Sequence, residues 1–293
     1  MAGRTERDRE SSARGREIGD RLKGVRVKAG FTAQGLAGLL GVSPSKVSRM
    51  ESGFRGASEL DVTMYLATCR APREEIMALL ELVREHDDGY RVRPHREQLP
   101  DELSSLIVQE NLASSIIAFE PQIVPGILQT EDYARSVFQC GGLIDESGIR
   151  LRIEARLARQ KLLRRPDSPR FTFFLQEHAL RSMVGDMRIM HEQVMHLVLS
   201  SSLERCEIRV IPRSTCPAGI FGGSFRIMRY DEHRPVVYVE NLTASLFLED
   251  RDDLLVYRDV VRRVADMALD AGQSREWLAT LASDYDRVED AAQ

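Results

Sequence analysis

Up to about residue 85, apolar positions recur at intervals of three and four, the rhythm of amphipathic helices. Ile18, Leu22 and Val25 predict a first helix ending near Gly30. Thr32 is a good N-cap for a second, with Leu36, Ala37 and Leu40 on one face and Gly41 free to take the positive φ that ends it. Ser43 caps a third, Pro44 sits where a missing N–H costs nothing, Val47 and Met50 turn inward, and Gly53 closes it. Ser58 opens a fourth helix carrying Leu60, Met64 and Leu66. Pro72 opens a fifth, with Ile76, Leu79, Leu80 and Val83 as its buried face.

The pattern then loosens. Residues 86–100, HDDGYRVRPHREQLP, hold one glycine, two prolines and many charges, and read as a linker. From Pro100 a helix resumes to about residue 113, after which helices and strands mix. Strands are predicted at 115–124, 171–175, 206–211, 224–230 and 236–240. Between and after them come a Thr130-capped helix, long helices at 145–165, 186–203 and 252–271, and a last helix carrying Trp277 and Leu281. The expected architecture is an all-α five-helix head followed by an α+β C-terminal domain, not a repeated βαβ wind. The expected boundaries are a disordered arm at 1–15, a head at 16–85, a linker at 86–104, a second domain at 105–285 and a tail at 286–293.

The second and third helices carry the candidate chemistry. Ala37 is small enough to let two helices cross closely, Gly41 makes the corner, and Val47 packs back beneath. This is the geometry of a DNA-reading helix-turn-helix. On the third helix Ser45, Lys46 and Arg49 point away from Val47 and Met50, with Ser48 beside them. Arg49 suits a bidentate bond to guanine, and Ser45 or Lys46 suits base edges or phosphates. Thr32 and Ser43 would present helix N-termini to backbone phosphates, and Arg55 adds a further phosphate contact.

The run GLAGLLGVSPSKVSRMESG resembles the XRE (Cro and phage-repressor-like) family of helix-turn-helix proteins over about residues 17–70. That resemblance implies a structural Glu51 paired with a basic residue of the first helix, for which Arg26 is the candidate. It also implies a glutamine-to-phosphate contact; Gln34 stands for it, one place later than the family's usual position. Downstream, the run from Glu110 through FEP, PGILQTEDYA and SV resembles the C-terminal domain of actinobacterial toxin–antitoxin-like regulators, the WhiJ-like developmental regulators among them. The motifs RLARQ, FLQEHALR, VIP and VVYVE extend that likeness over about residues 105–285. It implies a small protein encoded alongside as a partner and leaves small-molecule sensing open.

Charge sharpens the division. Residues 1–70 hold 13 Lys/Arg against 8 Asp/Glu and the remainder 28 against 37, so a head of +5 precedes a body of −9. A basic end on an acidic body suits a protein that presents one end to phosphates. No apolar run approaches a membrane span, and the N-terminal residues lack a signal-peptide core, so a cytoplasmic protein is expected. Cys69, Cys140, Cys206 and Cys216 are scattered without metal-ligand spacing, and reduced thiols are expected.

Catalytic constellations are weak. Gly219, Gly222 and Gly223 suggest a phosphate cradle or a hairpin loop, but no GK[ST] follows. Glu177-His178 opens a helix after a strand, where a base or a dipole-favoured acid would equally stand. His191 and His196 are one residue too far apart for HExxH. No enzyme, metal or cofactor is expected. Met183, Met187, Met190 and Met195 fit either core or an adaptable pocket. The seven Lys/Arg of 150–165 fit a solvated face or a second phosphate track. The expected function is a sequence-specific transcription regulator binding double-stranded DNA as a homodimer on an inverted repeat. The alternatives are an antitoxin-like interaction protein and a small-molecule-gated repressor with a closed apolar pocket in 105–285.

Overall fold

The computed structural model describes residues 11–54, 58–85, 89–94, 100–217 and 219–292. The head is the five expected helices: α1 (Ala13–Lys28), α2 (Ala33–Leu40), α3 (Pro44–Glu51), α4 (Glu59–Thr68) and α5 (Arg73–Arg84). Their apolar stripes meet in one core that includes Leu22, Leu36, Val47, Tyr65 and Leu79. Two expectations change. Helix α1 begins at Ala13, so the end of the segment expected as an unstructured arm is helical, capped by Ser12 and buried at Ser11 and Ala13; residues 1–10 lie outside the described residues. On α4, Leu60 and Met64 face solvent, and Val62 and Tyr65 take the buried face with Leu66.

The body is the expected α+β domain: a seven-stranded mixed sheet in the order β1-β7-β6-β5-β2-β3-β4. Its strands are β1 (Tyr90–Pro94), β2 (Ser115–Glu120), β3 (Arg170–Gln176), β4 (Cys206–Ile211), β5 (Phe225–Arg229), β6 (Val236–Glu240) and β7 (Ala244–Leu248). β2, β3 and β4 pair in parallel, and the other neighbours are antiparallel. The helices are α6 (Pro100–Leu112), α7 (Glu131–Gly141), α8 (Glu146–Gln160), α9 (Glu177–Arg181), α10 (Met187–Ser200), α11 (Arg251–Met267) and α12 (Ala271–Ala292). Strand alternation sends Phe171, Phe173, Ile208 and Val210 to one face, where Met190, Val194, Leu278 and Leu281 of α10 and α12 cover them. Phe119, Phe174, Phe225 and Val237 fill the other face against α11. Met190 is core, whereas Met183 and Met195 are exposed.

The expected linker is partly structural. Residues 90–94 form β1, an edge strand paired with β7 from Tyr90↔Leu248 to Pro94↔Ala244. Arg91 and Arg93 face inward because α1 brings Glu17 to them: Arg91 Nη1 donates at 2.6 Å and Arg93 Nη2 at 2.7 Å, while the Ser105 hydroxyl donates at 2.6 Å. Burial alone would raise the Glu17 carboxyl, but those two guanidinium groups and the hydroxyl outweigh it and hold the group below its ordinary range. Beside it the fully buried Arg16 donates to Gln109 Oε1 at 2.8 Å and lies 4.3 Å over the Tyr230 ring. The Glu249 carboxylate accepts the Ala13 N–H. Head and body are thus joined through α1 by buried, hydrogen-bonded charges.

Candidate nucleic-acid interface

The corner between α2 and α3 follows from its residues. Thr32 Oγ1 accepts the Gly35 N–H at 3.0 Å and Ser43 Oγ accepts the Lys46 N–H at 3.2 Å, so both helices start on a side-chain cap. Gly41 ends α2 at φ 66°, in the left-handed region that suits glycine. Leu36, Ala37, Val47 and Met50 are buried, which fixes the rotation of α3 and turns its opposite face outward.

The end of α3 is clamped. Arg26 forks onto Glu51 at 2.6 and 2.8 Å, as the family resemblance implied, and also donates to the Phe31 carbonyl at 2.8 Å. The Tyr65 hydroxyl donates to the same carboxylate at 2.6 Å. Burial would raise Glu51, yet these donors bring it below its ordinary range. Helix α1 comes close through two glycines: a Cβ at Gly19 would stand 2.4 Å from the Glu51 carbonyl oxygen, and one at Gly15 2.4 Å from that of Gly53.

On the outward face, Thr32, Gln34, Ser43, Ser45, Ser48 and Arg49 are all exposed. Among the described residues the Arg49 side chain has no ion-pair or hydrogen-bond partner, so its guanidinium is available to an incoming ligand. Lys46 differs. Its ammonium lies 2.6 Å from Asp61 Oδ1, and that carboxylate also closes the capping box on Ser58. The Lys46 bond is the largest reason that Asp61 titrates below its ordinary range. Arg55 lies outside the described residues. The Lys46–Asp61 pair was not legible in the sequence, because it joins two helices across the intervening loop.

The other weighed groups are taken up structurally. His191 Nδ1 is 2.9 Å from the Ala282 carbonyl, joining α10 to α12. Glu177 accepts from the Arg213 N–H at 3.0 Å and from Arg181 at 2.7 Å. Gly219 and Gly222 take positive φ in the loop between β4 and β5. Among the described residues no group of three His, Cys, Asp or Glu is placed to hold a metal, and no helix is long and apolar enough to cross a membrane.

Comparison with known proteins agrees with this division. Residues 17–79 match a family model described as a helix-turn-helix domain. Residues 103–280, more than half of the chain, match one described as a domain of unknown function, DUF5753. A search of curated proteins finds no match. The capped α2–α3 corner and its family match make the head a DNA-binding module, and the chain belongs to the DUF5753 family, carrying that domain behind a helix-turn-helix head.

Proposed function

We propose that the protein is a sequence-specific transcription regulator that lays α3 in the major groove of double-stranded DNA. The observation that carries this reading is the partner-free Arg49 on the outward face of a helix whose inward face is locked by Val47, Met50 and Glu51. Ser45 and Ser48 flank it for base edges, and Thr32, Gln34 and Ser43 sit where backbone phosphates would pass. Lys46, spanned to Asp61, serves as a phosphate-side charge more than as a base reader.

A single head supplies few base contacts, so selectivity calls for two. The body is the dimerisation element in this reading. Leu151 and Leu157 on α8 and Val256 on α11 are exposed apolar side chains on long helices, which supports it. Half-sites of an inverted repeat would then lie about one helical turn apart. The likeness to WhiJ-like regulators adds a small protein encoded alongside as a partner. We assign the chain no catalysis and place its action in the cytoplasm, where such DNA lies. Selection of bound fragments from genomic DNA tests the reading. Enrichment of one inverted repeat supports it, and uniform recovery of unrelated fragments overturns it.

The small-molecule alternative expected a closed apolar pocket. The body does hold a cavity, of about 420 Å³, but its lining includes four arginines and two glutamates. A signal molecule for this site would carry charge.

A further inference from the structure

The cavity lies between the 3-10 turn Gly126–Leu128 with α7 and α8 on one side and β5, β6 and β7 on the other. Arg152 and Arg156, one helical turn apart on α8, face it together, joined by Arg159 and by Arg226 of β5. Two of these cations are committed. Arg159 forks onto Glu110 at 2.6 and 3.0 Å. Arg226 stands 3.8 Å from Glu110 and 3.5 Å from Glu120, and its buried Nη1 makes no hydrogen bond.

Arg152 and Arg156 form no ion pair among the described residues. Arg156 is nonetheless held in place. It lies 4.2 Å over the Phe138 ring, donates to Gln129 Oε1, and packs on Gly126, where a Cβ would stand 3.2 Å from its Nε. Burial and the neighbouring Arg159 push this guanidinium down to about 10, against the opposing pull of Glu240. A positioned cation with no carboxylate in ion-pair contact is the form of a ligand site, because a ligand carboxylate would supply that contact in a fork geometry.

The charge balance narrows the ligand. Four guanidinium groups (Arg152, Arg156, Arg159, Arg226) line the site with Glu120 and Glu240, Glu110 stands behind Arg159 and Arg226, and Asp145 acts on Arg152. Carboxylates this near disfavour a multiply charged anion, and a single carboxylate is the smallest charge that can fork onto a guanidinium. Val124, Pro125 and Phe138 add an apolar wall, and the volume falls within the ~300–1,000 Å³ of small-molecule sites. We propose that this cavity binds a small organic monocarboxylate, its carboxylate on Arg156 and Arg152 and its apolar body against Val124, Pro125 and Phe138.

The site adjoins the head contact. Glu110 holds the cavity arginines Arg159 and Arg226, while the preceding residue, Gln109, donates to the Ala13 carbonyl and accepts from Arg16, both in α1. Ligand charge that draws Arg159 or Arg226 away from Glu110 therefore acts on the same turn of α6 that grips the head. This consequence, unlike the site itself, rests on the reading of the protein as a DNA-binding regulator.

Arginine 15Nε–Hε NMR of the full chain tests the site without DNA, using hexanoate, succinate and inorganic phosphate against chloride at matched ionic strength. Hexanoate should shift the Arg156 signal saturably at millimolar concentration and more tightly than phosphate. R156Q should weaken binding about tenfold or more, the loss of one charge-assisted pair, with R156K between the two. Absence of a saturable Arg156 shift with hexanoate overturns the site. Tightest binding by phosphate or succinate overturns the monocarboxylate assignment. An R156K protein that is folded by its spectrum yet binds hexanoate as tightly as the parent overturns the role of the fork. DNA affinity is then measured with and without saturating hexanoate. A change of several-fold supports the link through α6, and an unchanged affinity despite proven ligand binding overturns that link alone.

Discussion

Replacing Glu17 by glutamine removes the carboxylate on which Arg91 and Arg93 converge in the head–body joint. The Glu17 side chain has no exposed surface, and its two oxygens accept from Arg91, Arg93, Arg21 and Ser105 at 2.6 to 3.0 Å. Glutamine keeps the shape but turns an NH₂ toward guanidinium donors and leaves Arg91, itself 9% exposed, with Glu85 as its remaining acid. Breaking a buried ion pair from one side costs ~3–5 kcal/mol, against total stabilities of ~5–15 kcal/mol. The partial exposure of Arg93, 20%, places the expected loss at the lower end, about 3 kcal/mol. Urea unfolding followed by circular dichroism at neutral pH measures it, with E59Q as the control, since the exposed Glu59–Arg84 pair should add nothing measurable. The sign with pH is fixed. Glu17 titrates low in the folded chain, so its contribution is present above the ordinary carboxylate range and is lost as pH falls through the folded value. The two proteins should therefore converge in acid. A neutral-pH difference below about 1 kcal/mol, or one that persists unchanged into acid, would mean that Glu17 does not act as a buried ion-pair partner.

Three further outcomes follow from the same packing. V47D should unfold the head, because Val47 has no exposed surface and a carboxylate there lacks any partner; a normal melting transition would show that the register of α3 is wrong. G19A should destabilise the head by about 1–3 kcal/mol or more, since its Cβ would stand 2.4 Å from the Glu51 carbonyl oxygen, and an unchanged thermal midpoint would contradict that contact. Sedimentation of the full chain should give twice its 33.2 kDa at micromolar concentration, with V256E shifted toward monomer; a monomeric parent chain sinks the dimer reading.

The head was legible because its signals are local. Thr32, Gly41 and Ser43 act within four residues of themselves, and each makes the cap or corner its type favours. What escaped the sequence depends on distant partners. β1 was hidden because its alternation is inverted: Arg91 and Arg93 turn inward to Glu17, and Tyr90 and Val92 face solvent. β7 was missed because its inward face holds Ser245, hydrogen-bonded to Tyr238 at 2.9 Å, beside Phe247, so no apolar alternation appears. The same reason veiled the cavity. The arginines of α8 read as a solvated face or a phosphate track, whereas Arg159 is buried on Glu110, 49 residues earlier.

In the proposed complex α3 reads DNA through Arg49. Binding of the parent chain and R49A to a selected inverted repeat and to random DNA of equal length, at one salt concentration, tests it most directly. R49A should lose ~1–3 kcal/mol per head on the selected site while nearly keeping its affinity for random DNA. Equal losses on both DNAs, or none on either, would mean that Arg49 does not read base sequence.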